Sequence, residues 1–353
     1  MKWGIMQIKK IKTSILRIVL LGSIGVLYTI MSFFISKSGP ETIVTIPNGA
    51  YASSIADILQ EEGLLKRPWK FKLYIRLSGL GNKLQSGSFI VHQGDSIYRL
   101  GKTLTGVDAE RYLIKVVIPE GFSLRKIGKR LVSLGLTTEK EYYVTLDKLK
   151  HRFASEYPFL RETPSSFIEG YLFPNTYYIE KGAPLESIMH QCLKGFSQSI
   201  VPLWQEYGKQ DKGSFHDVLT MASLIEKEAR DPREMPTIAS VFYNRLKKRM
   251  RLASDPTVLY ALGEPDKKRV LYRDLEVKSP YNTYRNRGLP PTPIASPGVA
   301  AFKAALYPAD TEYYFFVANN DGTHHFTRTF KEHSAAIRRI RKSKPTKRPL
   351  EER

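Results

Sequence analysis

Cysteine is almost missing from this chain. One residue, Cys192, stands among 353, so no intramolecular disulfide can form and no metal site can be assembled from several thiolates. Histidine is sparse as well: the 7 residues include no His-Glu-x-x-His arrangement, the spacing that puts two imidazoles on one helical face around zinc. Redox and zinc chemistry have no support, and neither a metal nor a cofactor is expected. Acidic residues are in deficit, 34 against 55 Lys plus Arg, for a formal charge of +21. Such an excess favours anionic surroundings, whether nucleic acid, phospholipid head groups or an acidic polymer, without choosing among them. Long apolar runs are missing too, with one exception. Hydrophobic residues at 42% and charged residues at 25% otherwise describe a chain that folds mostly in water, and its length suits two or three compact units.

The exception lies near the N-terminus. Lys9, Lys10, Lys12 and Arg17 precede an uncharged run from Ile18 to Ile35, followed by Ser36 and Lys37. About 18 apolar residues nearly match a bilayer's hydrocarbon core, and basic residues on one side keep that side in the cytoplasm. The expectation is a cytoplasmic segment over 1–17, a single transmembrane helix over 18–36, and a folded remainder outside the cytoplasmic membrane. No small-x-small cleavage site follows Phe33 and Phe34, which argues against a removed signal peptide. The cytoplasmic membrane is thus an expected partner and nucleic acid is not.

After a linker over 36–41, Thr42 to Ile46 alternates as a strand and Pro47-Asn48-Gly49 turns it. Ser53-Ser54 then read as a helix cap before Ile55, Ile58 and Leu59, with an end near Glu62-Gly63. The plan recurs 72 positions later: Ile118-Pro119-Glu120-Gly121 matches Ile46-Pro47-Asn48-Gly49, and Ser123, Ile127, Leu131 and Gly135-Leu136 suggest another capped helix. A second echo sets Ser86 to Ile90 and Gly94 to Ile97 against Glu169 to Leu172 and Gly182 to Leu185. The pattern implies duplicated small α+β units. Such units resemble LysM modules, which bind N-acetylated glycans, and a LysM-like domain is expected over 42–111.

From Ser214 the texture becomes helical. Val218, Ala222, Ile225 and Ala229 form one apolar stripe, and a second helix is predicted from Pro236 to Met250, with Arg245, Lys247, Lys248 and Arg249 toward water. Tyr313 to Ala318, the turn Asn319 to Gly322 and His325 to Arg328 predict a hairpin. His324 and His325 are read as surface residues without chemistry, and 336–353 as a basic tail.

Two carboxylates stand out. On a helical wheel with Val218 at zero, Glu226 falls roughly 80° to one side of the stripe and Glu228 roughly 80° to the other. A carboxyl at such an edge can be desolvated enough to hold its proton and act as a general acid; the wheel does not choose between them. What surrounds them does. Ala222 to Glu228, Val241-Phe242-Tyr243-Asn244-Arg245-Leu246, Leu252 to Val258, Ser279 to Arg285, Gly288 to Ile294 and the upstream Glu169 to Tyr177 resemble, in order, the motifs of the endolytic murein transglycosylases, the YceG-like family.

The resemblance runs through nearly the whole chain. It implies an α+β fold with a mixed α/β catalytic domain over 112–335 and the acid glutamate on a helix. It assigns that glutamate to Glu226 and leaves Glu228 a supporting role. The implied enzyme is a lyase that cuts the β-1,4 bond between N-acetylmuramic acid and N-acetylglucosamine of nascent peptidoglycan glycan strands. The muramic C6 hydroxyl attacks, a 1,6-anhydro end results, and strand elongation stops. Peptidoglycan synthases (penicillin-binding proteins) are the implied partners. Tyr243, Asn244, Arg245, Asp255, Tyr281, Asn282, Tyr284 and Arg285 offer rings and hydrogen-bonding groups to a sugar, and Glu169 and Tyr171 could approach the cleft from the preceding segment. Two alternatives stay open: a non-catalytic, membrane-anchored glycan-binding protein, and a two-carboxylate glycosidase using Asp255 or Glu169 as the second group.

Overall fold

The computed structural model describes residues 20–25, 27, 28, 30–36, 39–106, 112–164, 168–207, 213–264, 267 and 269–342. Among the described residues, helices and three two-stranded sheets make up a mixed α/β chain in two units: residues up to Ile114 with Tyr178–Ala183, and Lys115–Tyr177 with Pro184 onward.

In the first unit, β1 (Glu41–Ile46) pairs antiparallel with β2 (Gly87–His92), from Glu41 opposite His92 to Ile46 opposite Gly87. Alternation buries Val44, Ile46, Phe89 and Val91 on one face. Helices α1 (Ala52–Glu61), α2 (Pro68–Ser78) and α3 (Ile97–Leu104) cover it with Ile55, Leu59, Phe71, Ile75, Leu100 and Leu104. Helix α1 begins earlier than expected. Tyr51 is extended at its N-cap, and Ile55 N–H already donates to Tyr51 O, so Ser53 and Ser54 lie inside the first turn and cap nothing.

Residues 20–25, 27, 28, 30 and 31 are helical, and among the described residues no helix is long and apolar enough to cross a membrane. The span expected over 18–36 falls partly outside the described residues, as do the segment 1–17 and the tail beyond 342. The approach to the expected linker is docked. Lys70 Nζ donates to Ser32 Oγ at 2.8 Å, Tyr98 N–H to Phe33 O at 3.0 Å and Ser96 N–H to Ser36 Oγ at 2.8 Å, while the Phe34 ring lies 5.2 Å from that of Tyr98.

The recurrence is structural as well as textual. Strand β3 (Leu113–Ile118) repeats the burial alternation of β1, and Gly49 and Gly121 adopt the same left-handed turn, at φ 76° and 74°. Ser123 caps α4 (Leu124–Ser133) by accepting from Lys126 N–H. The second echo holds in a different register. Strand β4 (Asn175–Glu180), which pairs with β3, is the counterpart of β2, and α6 (Leu185–Ser199) follows Gly182 as α3 follows Gly94. Glu169 to Leu172 is turn and irregular chain, not a strand.

The second unit is built around α8 (Phe215–Glu228), with Ser214 and Asp217 forming a reciprocal capping box at its start. One apolar stripe was expected; instead every residue from Phe215 to Ile225 except Asp217 is buried. Helices α9 (Met235–Lys247), α10 (Asp255–Leu262) and α11 (Val299–Leu306) pack on it from different sides, with Ala301, Ala304 and Ala305 letting α11 come close. Helices α5 (Glu139–Phe153), α7 (Val201–Tyr207) and α12 (Phe330–Lys342) lie further out. The C-terminal hairpin forms as expected from β5 (Phe315–Ala318) and β6 (His324–Thr327). His324 is not a surface residue: its side chain is buried, its N–H donates to Glu234 Oε1, and its Nδ1 lies 2.7 Å from Glu234 Oε2.

Candidate active site

Glu226 sits where α8 leaves the core, one residue after buried Ile225. Opposite it runs the irregular segment 294–298, held at several points. Ser223, one turn back on α8, donates to Thr220 O and accepts Ile294 N–H at 3.0 Å. Gly121 N–H donates to Ser296 O, and Ser296 N–H donates to Phe122 O, each at 2.8 Å. The segment ends at Gly298, the N-cap of α11, whose N–H donates to Glu226 Oε2 at 3.0 Å. Among the described residues Glu226 Oε1 accepts no hydrogen bond.

Glu120, from the repeated Ile-Pro-x-Gly turn, reaches the same place. A Cβ on Gly298 would collide with Glu120 Oε1, so glycine is what lets both carboxylates meet the start of α11. Burial holds the Glu226 carboxyl above the ordinary carboxylate range, and the charge of Glu120 adds to the effect. The Gly298 N–H at the positive end of α11 and the neighbouring Lys227 pull it down. Lys227 Nζ donates to Gly121 O at 3.4 Å.

A cavity of about 290 Å³ is lined by Ser123, Leu124, Arg125, Glu169, Tyr260, Tyr281 and Thr292 among others. The chain from Gly121, packed on Glu226 and Lys227, to Arg125 joins it to the carboxylate pair. Glu169 is only 5% exposed. It accepts Leu124 N–H and Tyr260 O–H, each at 2.9 Å, and burial pushes its carboxyl up to about 7. The Tyr281 ring lies 4.8 Å from that of Tyr260. Tyr281 O–H donates at 2.7 Å to Thr292 Oγ1, whose own proton goes to Pro293 O.

A second cluster surrounds Glu228. Ser254 Oγ donates to Glu228 Oε1 at 2.6 Å; burial is the main reason that carboxyl rises to about 7, with Asp255 adding and Arg245 opposing. Ala253 is held left-handed at φ 48° to present Ser254, a conformation that costs a non-glycine residue roughly 1 kcal/mol or more. Tyr284 O–H donates to Asp255 Oδ1 at 2.6 Å. Arg245 does not face water as expected: its Nε and Nη1 donate to Tyr314 O and Leu252 O, both at 2.6 Å, and its guanidinium stacks 5.2 Å from the centre of the Phe315 ring.

The other predicted site residues are engaged in the fold. Tyr171 has no exposed surface: it is stacked on Phe159 and tilted against Phe196 and Phe215, and its O–H lies 3.0 Å from His216 Nδ1. His216 Nε2 faces Pro291 O at 3.0 Å, which makes Nε2 the protonated nitrogen and Nδ1 the acceptor. Tyr243 O–H donates to Ala305 O, and Asn244 Nδ2 donates to Thr311 O and Tyr313 O. Asn282, fully buried, ties Leu275 O and Val277 O into the Pro-flanked turn. Arg285 is exposed. Among the described residues no three His, Cys, Asp or Glu side chains are placed to share a metal ion. Glu120, Gly298, Ser223, Ser254 and Tyr260 carried no assignment from sequence; only the repeated Ile-Pro-x-Gly motif drew attention to the turn holding Glu120.

Known proteins bear the same pattern. The YceG-like family model matches residues 44–339. The endolytic murein transglycosylase of Bacillus subtilis is 37% identical over 323 residues, covering 89% of each chain. That of Streptococcus pneumoniae is 28% identical over 341 residues, which is 90% of this chain but 62% of its own length. The crystal structure of a YceG-like protein from Listeria monocytogenes, 37% identical, superposes with a TM-score of 0.59 over 85% of this chain and all of that one. With the family model spanning most of its length, the chain belongs to the YceG-like family.

Proposed function

We propose that this chain is an endolytic lytic transglycosylase acting on peptidoglycan, with Glu226 as its single acid/base. The family supports the reaction class, two relatives being named endolytic murein transglycosylases. The observation that carries the residue assignment is the Glu226 carboxyl: partly buried, raised above its ordinary range, and held by one hydrogen bond that leaves Oε1 available. Protonated Glu226 gives its proton to the glycosidic oxygen between N-acetylmuramic acid and N-acetylglucosamine. As a carboxylate it then takes the proton of the muramic C6 hydroxyl, whose oxygen closes on C1 to leave a 1,6-anhydro end. One group can serve both steps because the first leaves it in the form that the second needs. Burial, with the charge of Glu120 adding to it, favours the protonated form of the resting carboxyl, and the Gly298 N–H with the start of α11 steadies the carboxylate that follows.

The cavity beside the pair suits a sugar ring or its substituents, with Tyr260 and Tyr281 offering faces and Glu169 and Arg125 hydrogen-bonding groups. Asp255, Tyr284, Arg245 and Glu228 form a support that fixes α10 and the Leu252 to Ser254 loop. The uncharged run over 18–35 anchors the chain in the cytoplasmic membrane with the two units outside. There it meets new strands beside the synthases that make them, and the LysM-like first unit helps to hold those strands.

A second reading deserves a test because Glu120 provides a carboxylate near Glu226: a hydrolase with two acidic groups. A hydrolase needs them to flank the scissile bond, roughly 5–9.5 Å apart, whereas these two converge on one glycine. Mass spectrometry of uncrosslinked strands digested by the native protein and by Glu226→Gln separates the readings. The transglycosylase produces 1,6-anhydro ends that vanish in the variant. Reducing ends that vanish in Glu120→Gln as well would establish the hydrolase, and binding without cleavage would leave only a glycan-binding protein.

A further inference from the structure

The first unit carries an apolar surface that the catalytic proposal leaves unused. Helix α2 turns Phe71 and Ile75 into the core, yet a second apolar line runs along its outer side. Trp69, Leu73 and Leu77, at four-residue steps, are 53%, 40% and 78% exposed. Large side chains aligned in this way are costly to leave in water and mark a surface that meets something apolar. The helix contains no acidic residue, and Lys66, Arg67 and Arg76 are exposed around the stripe. Leu77 also borders an apolar groove of about 330 Å³ shared with Ile30, Phe33, Phe34 and Tyr74, so the stripe is continuous with the end of the uncharged N-terminal run. That end does not swing freely, being fixed to the unit through Ser32, Phe33 and Ser36.

We propose that α2 is an interfacial helix, lying in the headgroup zone of an anionic phospholipid bilayer with Trp69, Leu73 and Leu77 against the acyl boundary. The proposal rests on the membrane anchorage argued above. Three observations select a lipid surface as the occupant. The stripe continues an apolar run of about bilayer length, the charges on the helix and in the two residues before it are all cationic and complement lipid phosphates, Lys72 being paired with a carboxylate, Asp57 of α1, and its one tryptophan is of the kind enriched at membrane interfaces. With the end of the run fixed to the unit through Ser32, Phe33 and Ser36, insertion of one brings the other to the surface, so the unit is held flat and in a fixed orientation instead of swinging on a tether.

The test uses the full chain carrying Trp3→Phe and Trp204→Phe, which leaves Trp69 as its sole tryptophan. The protein is reconstituted into vesicles of phosphatidylcholine with phosphatidylglycerol, with or without bromine on shallow acyl positions. The chain is expected to float with the vesicles and Trp69 emission to fall roughly twofold with brominated lipid, as for a ring within about 5–10 Å of the acyl boundary. Adding Leu73→Glu and Leu77→Glu, both at exposed positions, should restore the emission while flotation persists. A floating chain whose Trp69 emission ignores brominated lipid, or whose quenching survives the two glutamates, refutes the interfacial helix and leaves the anchor standing. A chain that does not float overturns both.

Discussion

Glu169 offers a direct test of the site's electrostatics. Its carboxyl is buried, accepts two hydrogen bonds, and keeps its proton up to about 7 against an ordinary 4.5. The folded state therefore holds this proton more tightly than the unfolded chain does. The stability it confers is fully present below about 4.5 and is lost as pH rises through about 7. The gap between the two values corresponds to roughly 3 kcal/mol. In Glu169→Gln the amide is neutral at every pH: its oxygen can accept Leu124 N–H, and the Tyr260 hydroxyl can rotate to accept from its nitrogen. Urea unfolding at pH 4, 6 and 8, at constant ionic strength and on parent and variant alike, should show the variant gaining about 3 kcal/mol on the parent across that range. Other titrating groups cancel in the difference. Parallel curves would mean that Glu169 ionises as readily folded as unfolded and would refute the argument.

Glu120→Gln removes a charge that helps Glu226 keep its proton, so the alkaline limb of the pH–rate profile should move to lower pH; an upward move would contradict the role given to Glu120. Ser223→Ala leaves Ile294 N–H without its acceptor and should cost about 1–3 kcal/mol in unfolding free energy. It should also lower kcat, because Gly298 is aimed by the same segment. Tyr171→Phe loses only the bond to His216 and should cost about 1 kcal/mol of stability with KM for glycan strands unchanged; a raised KM would place this ring at the substrate.

The local patterns were legible where local physics decides. The Ile-Pro-x-Gly turns announced two strand-to-helix units because glycine is needed at φ near 75° in both, and Ser214 and Ser123 announced their helices as caps. Asn282, offered above as a sugar contact, ties two carbonyls of its own Pro-flanked turn together. What could not be read depends on partners distant in the chain. The wheel drawn for α8 showed one stripe, yet the helix is enclosed, because the alanines of α11 and the segment at Ile294 cover a face that includes Ser223 and Thr220. Arg245 sits among Lys247, Lys248 and Arg249 and looks solvated until Tyr314 and Leu252 supply carbonyls. Glu120 resembled a turn filler, and only the fold puts its carboxylate against Gly298.

Enclosing α8 has a consequence for how the protein fails. A helix buried on nearly every side belongs to the region whose amides exchange only when the whole unit opens. Glu226 is carried by the end of that helix, so minor fraying elsewhere leaves the proposed proton donor in place. In the proposed reaction the helix then holds still with its unit, and the sugar strand does the adjusting as each bond is brought into place.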